Sequence, residues 1–406
     1  MILLQNVFGA SYIPMPKGIK TLSIQAVSCV LVLLKVKITM VKINYVMPTR
    51  VVMGNGCLWE NRNFLKELGK KALIVTGKGS AKTNGSYNDL VKALEANGQT
   101  YTLYDQVMSN PTVDCVFEGA AKAKKDGCDC VVAIGGGSPM DAGKVIAGIA
   151  VQEVQKREIF TASFTKALPI GAIPTTAGTG SEVTPYAILT NHEAQTKTSI
   201  AGTVFFPRFA FLDPVYMQHL SKPITVGTAL DALSHAIEGM LSVRASPLSD
   251  ALAKESISGI ADCFPFLEQE KLELQVRQKL LWASTLGGMV IANTGTTGVH
   301  AMGYMLTYFK NIDHGRANGL LLGHYLKVLE TKDPTNRVKT ILRCLKVETL
   351  EDFVMILNRL LGPCEKYDAS ELEAYAARAV KAKNIANCII KLEKDELLDI
   401  FKRSVG

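Results

Sequence analysis

A parallel α/β domain followed by an all-helical domain is the fold class that this sequence predicts. Up to about Pro214, short apolar runs alternate with amphipathic stretches of helical period, and a glycine stands where each helix should stop. Beyond Pro214 the strand-like runs disappear and long helical patterns remain. The domains are therefore placed at residues 40–219 and 220–406.

KALIVTG (71–77) is an apolar run closed by glycine and reads as a strand. NDLVKALEANG (88–98) has one apolar face and ends in glycine, so it reads as a helix, and TYTLYD (100–105) reads as the next strand. VDCVFEGAAKAKKDG (113–127) is a helix with a charged face, and CDCVVAIGGG (128–137) is a strand running into three glycines. ALPIGAIP (167–174) and RFAFLDP (208–214) extend the sheet. Strands separated by helices are expected to run parallel, because each crossover returns the chain to the same end of the sheet.

With 406 residues, 48% hydrophobic and 20% charged, the chain can bury a sizeable core, which excludes disorder. The formal charge of +8 is concentrated: residues 1–39 carry Lys17, Lys20, Lys35 and Lys37 without any acid, leaving +4 on the rest. No nucleic-acid footprint follows. Nine scattered cysteines without a Cys-x-x-Cys suit free thiols in a reducing cytoplasm. SIQAVSCVLVLL (23–34) is about half the length of a membrane span. We read residues 1–39 as a non-native or disordered extension ahead of Met40, and expect no membrane partner.

In GGGSPMDAGK, Ser138 is expected to cap a helix, with Pro139 at its first position and Asp141 at capping-box spacing. Glycines before a helix start let a phosphate approach free N–H groups. The spacing is not G-x-G-x-x-G, so a capped turn without ligand is the competing reading. IPTTAGTGSEVT (173–184) adds Thr175, Thr176, Thr179 and Ser181 as hydroxyl donors, against the plainer alternative of a solvated loop.

The greasy helix ALDALSHAIEG (229–239) places Asp231 and His235 four residues apart on one face, where an unpaired carboxylate would be costly to bury. A divalent cation would balance that charge. Of the six histidines, His300 lies on an apolar helix and His314 opens the helix after a short polar turn, an antiparallel arrangement that can bring them to the same point. One carboxylate with three imidazoles suits Fe2+ or Zn2+. Spacing alone does not choose which histidines join the pair.

GGGSPMDAGK, IPTTAGTGSEVT, DALSHAIEG and VHAMGYMLTYFKNIDHG, in this order, resemble the group III, iron-containing alcohol dehydrogenase family over about residues 45–400. The resemblance implies a dinucleotide-binding α/β domain, an all-helical metal-binding domain and a site between them. It implies Asp231, His235, His300 and His314 as metal ligands. It places Gly136, Gly137 and Ser138 at the pyrophosphate, Asn110, Thr175, Thr176 and Thr179 near the cofactor, and Lys197 by its ribose; Asp141, in the same turn, is expected among the cofactor-binding residues. The implied activity is metal-dependent hydride transfer between a primary alcohol or its aldehyde and NAD(P)(H), in a cytoplasmic homodimer or higher homo-oligomer.

Three positions depart from the family pattern. Tyr304 stands where many members have a second histidine, and is the candidate for proton relay. Asp313 replaces a proline before the last ligand. Gly77, with Lys78, Ser80 and Lys82 nearby, replaces the aspartate of NAD-preferring members, which favours NADP(H) over NAD(H). The alternatives are a metal- and NAD-dependent lyase of the dehydroquinate synthase type and a non-catalytic dinucleotide-binding protein.

Overall fold

The computed structural model describes residues 43–364 and 366–406, of which Tyr45–Gly406 form one compact unit. The expected extension at residues 1–39 and its apolar run lie outside the described residues. The sheet consists of β1 (Arg50–Met53), β2 (Lys71–Val75), β3 (Thr100–Tyr104), β4 (Cys130–Gly135), β5 (Ile170–Pro174) and β8 (Phe209–Leu212). All pairings are parallel, in the order β1-β8-β5-β4-β2-β3. Strand β4 is buried along its whole length, as expected for a central parallel strand covered on both faces.

Helices α1 (Ser86–Ala96), α2 (Val113–Lys125) and α3 (Gly137–Val151) provide the crossovers, and three one-turn helices are left unnumbered. Leu90 and Leu94 of α1 pack on one face of the sheet, against Ala72 and Ile74. Val116 of α2 and Val145 and Ile146 of α3 pack on the other, against Leu73 and Val131. The chain passes from β2 to β3 on one side and then to β4 on the other. The carboxyl ends of β2 and β4 therefore flank a topological switch point, where open α/β sheets leave a crevice for ligands.

Two elements escaped the sequence reading: the short edge strand β1, and an antiparallel hairpin of β6 (Tyr186–Asn191) and β7 (Thr196–Ala201). TKTSIA is too polar to signal a strand. It forms one because its hairpin partner Ala187 and its own Ile200 join the core beneath α3.

From Lys222 onward the described elements are helical: α4 (Lys222–Met240), α5 (Pro247–Ala261), α6 (Leu274–Thr294), α7 (Gly298–Lys310), α8 (His314–Glu330), α9 (Arg337–Leu345), α10 (Leu350–Leu361), α11 (Ala369–Ala379) and α12 (Lys394–Val405), with one further one-turn helix and a 3-10 turn. Helix α4 is central and nearly wholly buried. Its neighbours come close because glycines lie at the contacts, on α4 itself and on α8. A Cβ on Gly239 would meet Val290 of α6 at 2.1 Å, and one on Gly315 would stand 2.0 Å from the Gly227 carbonyl and 3.1 Å from Asp231 Cβ. The second contact seats the first turn of α8, and with it His314, beside Asp231.

No helix among the described residues is long and apolar enough to cross a membrane. Cys57, Cys115, Cys128, Cys130, Cys263, Cys344 and Cys388 are free thiols.

Gly315→Ala should destabilise the chain by about 1–3 kcal/mol, because overpacking against a backbone carbonyl outweighs the roughly 1 kcal/mol of helix propensity gained. Urea denaturation measures this; an unchanged or higher midpoint would show that α8 does not depend on the close approach.

Candidate metal centre and dinucleotide cleft

Helix α4 presents Asp231 and His235 from consecutive turns, α7 presents His300 near its start, and α8 begins at His314. Asp231, His300 and His314 bring their ligand atoms within 4.8 Å of one another, and His235 adjoins the group through Asp231 and His300. Asp231 Oδ1 lies 3.9 Å from His235 Nε2, 3.7 Å from His300 Nε2 and 3.8 Å from His314 Nε2. The Nε2 atoms of His235 and His300 are 3.0 Å apart. Ligand atoms around a cation at about 2.1 Å stand roughly 3.0–3.5 Å from each other, so the 3.0 Å imidazole pair is at that spacing and the three carboxylate–imidazole distances are a few tenths of an ångström wider.

The donor set also leaves lone pairs unanswered. Asn318 Nδ2 donates to Asp231 Oδ1 at 2.9 Å and lies 3.3 Å from His300 Nε2 and 3.2 Å from His314 Nε2. Two amide hydrogens cannot serve three acceptors; an Nε2–H on His235 would reach only His300, 3.0 Å away. The Gly178 carbonyl faces His235, but Nδ1 of that ring lacks an aligned hydrogen-bond partner. A divalent cation fits these residues.

Burial would raise the Asp231 carboxyl, yet the surrounding imidazoles and the Asn318 amide hold it down to about 2. Burial, only partly offset by Asp231, brings His235 down to about 4 and puts His314 well below its ordinary value. Both rings are therefore neutral at neutral pH. His300 is raised instead, because Glu238 and Asp231 outweigh the effect of burial.

Glu238 and Asn318 were not singled out in the sequence. Glu238 follows Asp231 by seven and His235 by three, so it shares their helix face, a signal that was available. Its Oε1 accepts from the backbone N–H of Thr297 at 2.7 Å, Val299 at 3.0 Å and His300 at 3.3 Å, and Oε2 meets His300 Nδ1. Asn318 fits only because Gly303 has no side chain: a Cβ there would stand 2.0 Å from Asn318 Oδ1.

Tyr304 stacks on His314 at 5.2 Å and meets His300 edge-on at 6.1 Å. Burial raises its phenol further above the neutral range. Its hydroxyl has no hydrogen-bond partner among the described residues, and its ring contacts are with the two imidazoles. Asp313 precedes His314 as N-cap of α8, where its side chain makes no capping bond.

At the switch point the glycine turn and the threonine loop touch. A Cβ on Gly136 would lie 3.1 Å from Thr176 Oγ1, and one on Gly137 2.6 Å from Thr179 Cγ2. Thr175 N donates to the Gly135 carbonyl at 2.9 Å. Gly180, at φ +62, brings the same loop within 2.4 Å of the Gly288 Cα on α6, measured from an added Cβ. Asn110, also left-handed at φ 58, donates its backbone N–H to Ser138 Oγ at 3.3 Å and leaves its amide side chain facing no partner among the described residues.

The expected capping box is corrected. Helix α3 begins at Gly137 with Gly136 as N-cap, and Ser138 lies inside the first turn. Asp141 turns instead toward the Ser181 hydroxyl at 2.6 Å and the Ile188 N–H at 2.9 Å. Consecutive glycines let the helix start earlier than the serine signal implied. Beside Asp141, the buried Lys144 donates to Ser181 Oγ and the Tyr186 carbonyl, both at 2.7 Å, and burial brings its ammonium down to about 8.

Burial lowers the ammonium of Lys197 on β7, Asp141 and Asp231 partly offset it, and the ammonium makes no hydrogen bond among the described residues. After β2, a Cβ on Gly77 would stand 3.3 Å from the Val107 carbonyl. Lys78 lines a cleft of about 570 Å3 with Met108, Thr112, Asp114 and Glu118. Ser80 is exposed nearby, and Lys82 is taken up by Asp105 at 2.7 Å.

A parallel sheet with a glycine-lined crevice, joined to helices that hold a carboxylate and three imidazoles, defines a metal-centred, dinucleotide-dependent enzyme. The profile described as iron-containing alcohol dehydrogenase matches residues 48–214, and that of the Fe-containing alcohol dehydrogenase family, C-terminal, matches residues 225–405. The chain belongs to the iron-containing alcohol dehydrogenase family.

It is 36% identical over 293 residues to alcohol dehydrogenase 4 of Schizosaccharomyces pombe, spanning 71% of this chain and 69% of that protein. It is also 36% identical over 320 residues to 1,3-propanediol dehydrogenase of Citrobacter freundii, spanning 77% and 79%. An iron-containing alcohol dehydrogenase of Thermotoga maritima has a similar crystal structure, with TM-score 0.83 and 38% identity, covering 89% of this chain and 99% of that one. These relatives favour alcohol and aldehyde interconversion over the lyase and non-catalytic alternatives.

His235 and His314 resist protonation in the fold but not in the unfolded chain, so the unfolded state binds more protons below about pH 6.5. Metal-free protein should therefore lose stability as pH falls from about 6.5 through about 4, and His235→Gln should flatten that slope. Urea midpoints in chelator across this range test it; equal slopes in the two proteins would contradict the assignment.

Proposed function

We propose that the chain interconverts primary alcohols and aldehydes, using Fe2+ held by Asp231, His235, His300 and His314 and a nicotinamide dinucleotide held at the β2/β4 crevice. The carrying observation is the convergence of those four side chains within 3.0–3.9 Å of a neighbour in the cluster. When bound, the cation supplies Lewis-acid polarisation of the substrate oxygen, and the dinucleotide supplies the hydride acceptor or donor.

The chain's own residues prepare both sites. Asp231 carries the negative charge that offsets a cation, while neutral His235 and His314 offer lone pairs without competing protons. The first turn of α3 at Gly136, Gly137 and Ser138 directs N–H groups and a helix dipole at the pyrophosphate, within a frame that Asp141 pins to Ser181. The Thr176 and Thr179 side chains lie against the same turn, and the backbone N–H groups of Thr175 and Asn110 bond to it. Lys197, an ammonium without a hydrogen-bond partner among the described residues, is assigned to the ribose near the reacting end.

We assign a preference for NADP(H). Gly77 removes the carboxylate that would repel a 2′-phosphate, and Lys78 and Ser80 remain available beside it, although Lys82 is committed to Asp105. Zn2+ is the competing occupant of the metal site, since the donor set accepts both ions. The domain limits 40–219 and 220–406 are supported by the break between the two family profiles and by the switch from strands to helices. Free thiols support a reducing cytoplasmic setting, and a homodimer or higher homo-oligomer is the assembly expected from the family resemblance.

Nicotinamide absorbance in anaerobically Fe2+-loaded protein, measured across a panel of primary alcohols and aldehydes with NADPH and NADH, tests this function. Turnover should be faster with NADPH, and Asp231→Asn should lower kcat/KM by about a thousandfold, the several kcal/mol a Lewis acid contributes. Absence of turnover with every substrate, or full activity in Asp231→Asn, would contradict it.

Tyr304→Phe should keep kcat within about threefold, since the phenol packs rather than titrates. A drop of about a hundredfold across the pH range would place the hydroxyl on the proton path.

A further inference from the structure

Resting on the metal-centred function above, we propose that Glu238 is the positioning residue that presents His300 to the cation, by fixing the hydrogen of that imidazole on Nδ1 so that the Nε2 lone pair points into the cluster. The two carboxylate oxygens have separate tasks. Oε1 is committed to three backbone N–H groups at the start of α7, those of Thr297, Val299 and His300, and to the Thr297 hydroxyl at 2.8 Å. Oε2 has the Nδ1 edge of His300 to itself.

A carboxylate at Nδ1 requires a hydrogen there, and a neutral imidazole has only one. The opposite nitrogen is thereby left as an acceptor, and it is this nitrogen that faces Asp231 Oδ1 at 3.7 Å and His235 Nε2 at 3.0 Å. Helix α4 thus supplies two ligands and, one turn further on the same face, the group that orients the third. Glu238 is fully buried, so water does not substitute for it. It also ties the start of α7 to α4, which makes ring orientation and helix docking one event.

Glu238→Gln separates the orienting role from the structural one. The three N–H groups of α7 demand an acceptor, so the amide oxygen takes the place of Oε1 and the NH2 group takes that of Oε2. An N–H donor facing Nδ1 forces the ring hydrogen onto Nε2, where it blocks the lone pair. Long-range 1H–15N spectra of histidine-labelled, metal-free protein, with His300 assigned by His300→Gln and recorded at alkaline pH, should show the Nδ1–H tautomer in the wild type and Nε2–H in Glu238→Gln.

Chelator-competed Co2+ binding should weaken roughly 10- to 100-fold in Glu238→Gln, with an altered visible Co2+ spectrum and a urea midpoint close to that of the wild type. An Nε2–H tautomer in the wild type overturns the proposal, and this readout stands even if the variant fails to fold. Wild-type Co2+ affinity and spectrum in a folded Glu238→Gln overturn it as well. A wild-type chain that binds no Co2+ overturns the metal centre itself, a failure visible before any variant is made.

Discussion

Four side chains that can each accept a hydrogen bond point at one buried spot supplied with too few hydrogens. Asp231, His235 and His300 are almost entirely excluded from water, and the Asn318 amide is the polar donor that reaches the middle of the group. Leaving buried acceptors unmatched costs about 1–3 kcal/mol each, so the sequence either bears that cost or meets it with a cation. The surrounding helices are arranged to keep the spot small. Gly315 lets α8 touch α4, Gly303 makes room for Asn318, and Gly239 draws α6 against α4. Larger residues at these places would pack as well in an ordinary core but would move the ligands apart.

The sheet and the helices meet through the threonine loop. Its hydroxyl-bearing residues rest on the glycine turn at one end, and its backbone touches Gly288 of α6 at the other. Asp141, Ser181, Lys144 and the Tyr186 carbonyl then lock the loop to α3 and to the hairpin that carries Lys197. A dinucleotide lying along α3 toward the metal cluster would touch groups whose positions are already fixed by one another. Preorganisation of this kind lowers the ordering cost of binding.

The crossover units were legible because each carries two signals, an apolar run and a glycine stop, as in KALIVTG and CDCVVAIGGG. The Asp231–His235 pair stood out because a carboxylate and a histidine at helical spacing are costly to bury unpaired in an apolar helix, and the fold does bury both. Spacing left the third and fourth ligands open; the resemblance named His300 and His314, and the fold brought both beside Asp231. The β6–β7 hairpin was hidden, since Thr196, Lys197, Thr198 and Ser199 look solvated and are only half covered by tertiary packing. Ser138 misled because a good capping residue is irrelevant where glycines allow an earlier start. Asn318 was invisible because its role depends on a cavity made by Gly303 on another helix.

The central claim is that one cation is gripped jointly by α4, α7 and α8. Anomalous-difference density from crystals grown anaerobically with Fe2+ tests it most directly. A single strong peak is expected about 2.0–2.3 Å from Asp231 and from the Nε2 atoms of His235, His300 and His314. Density elsewhere, or side-chain tips that share no common atom, would contradict it.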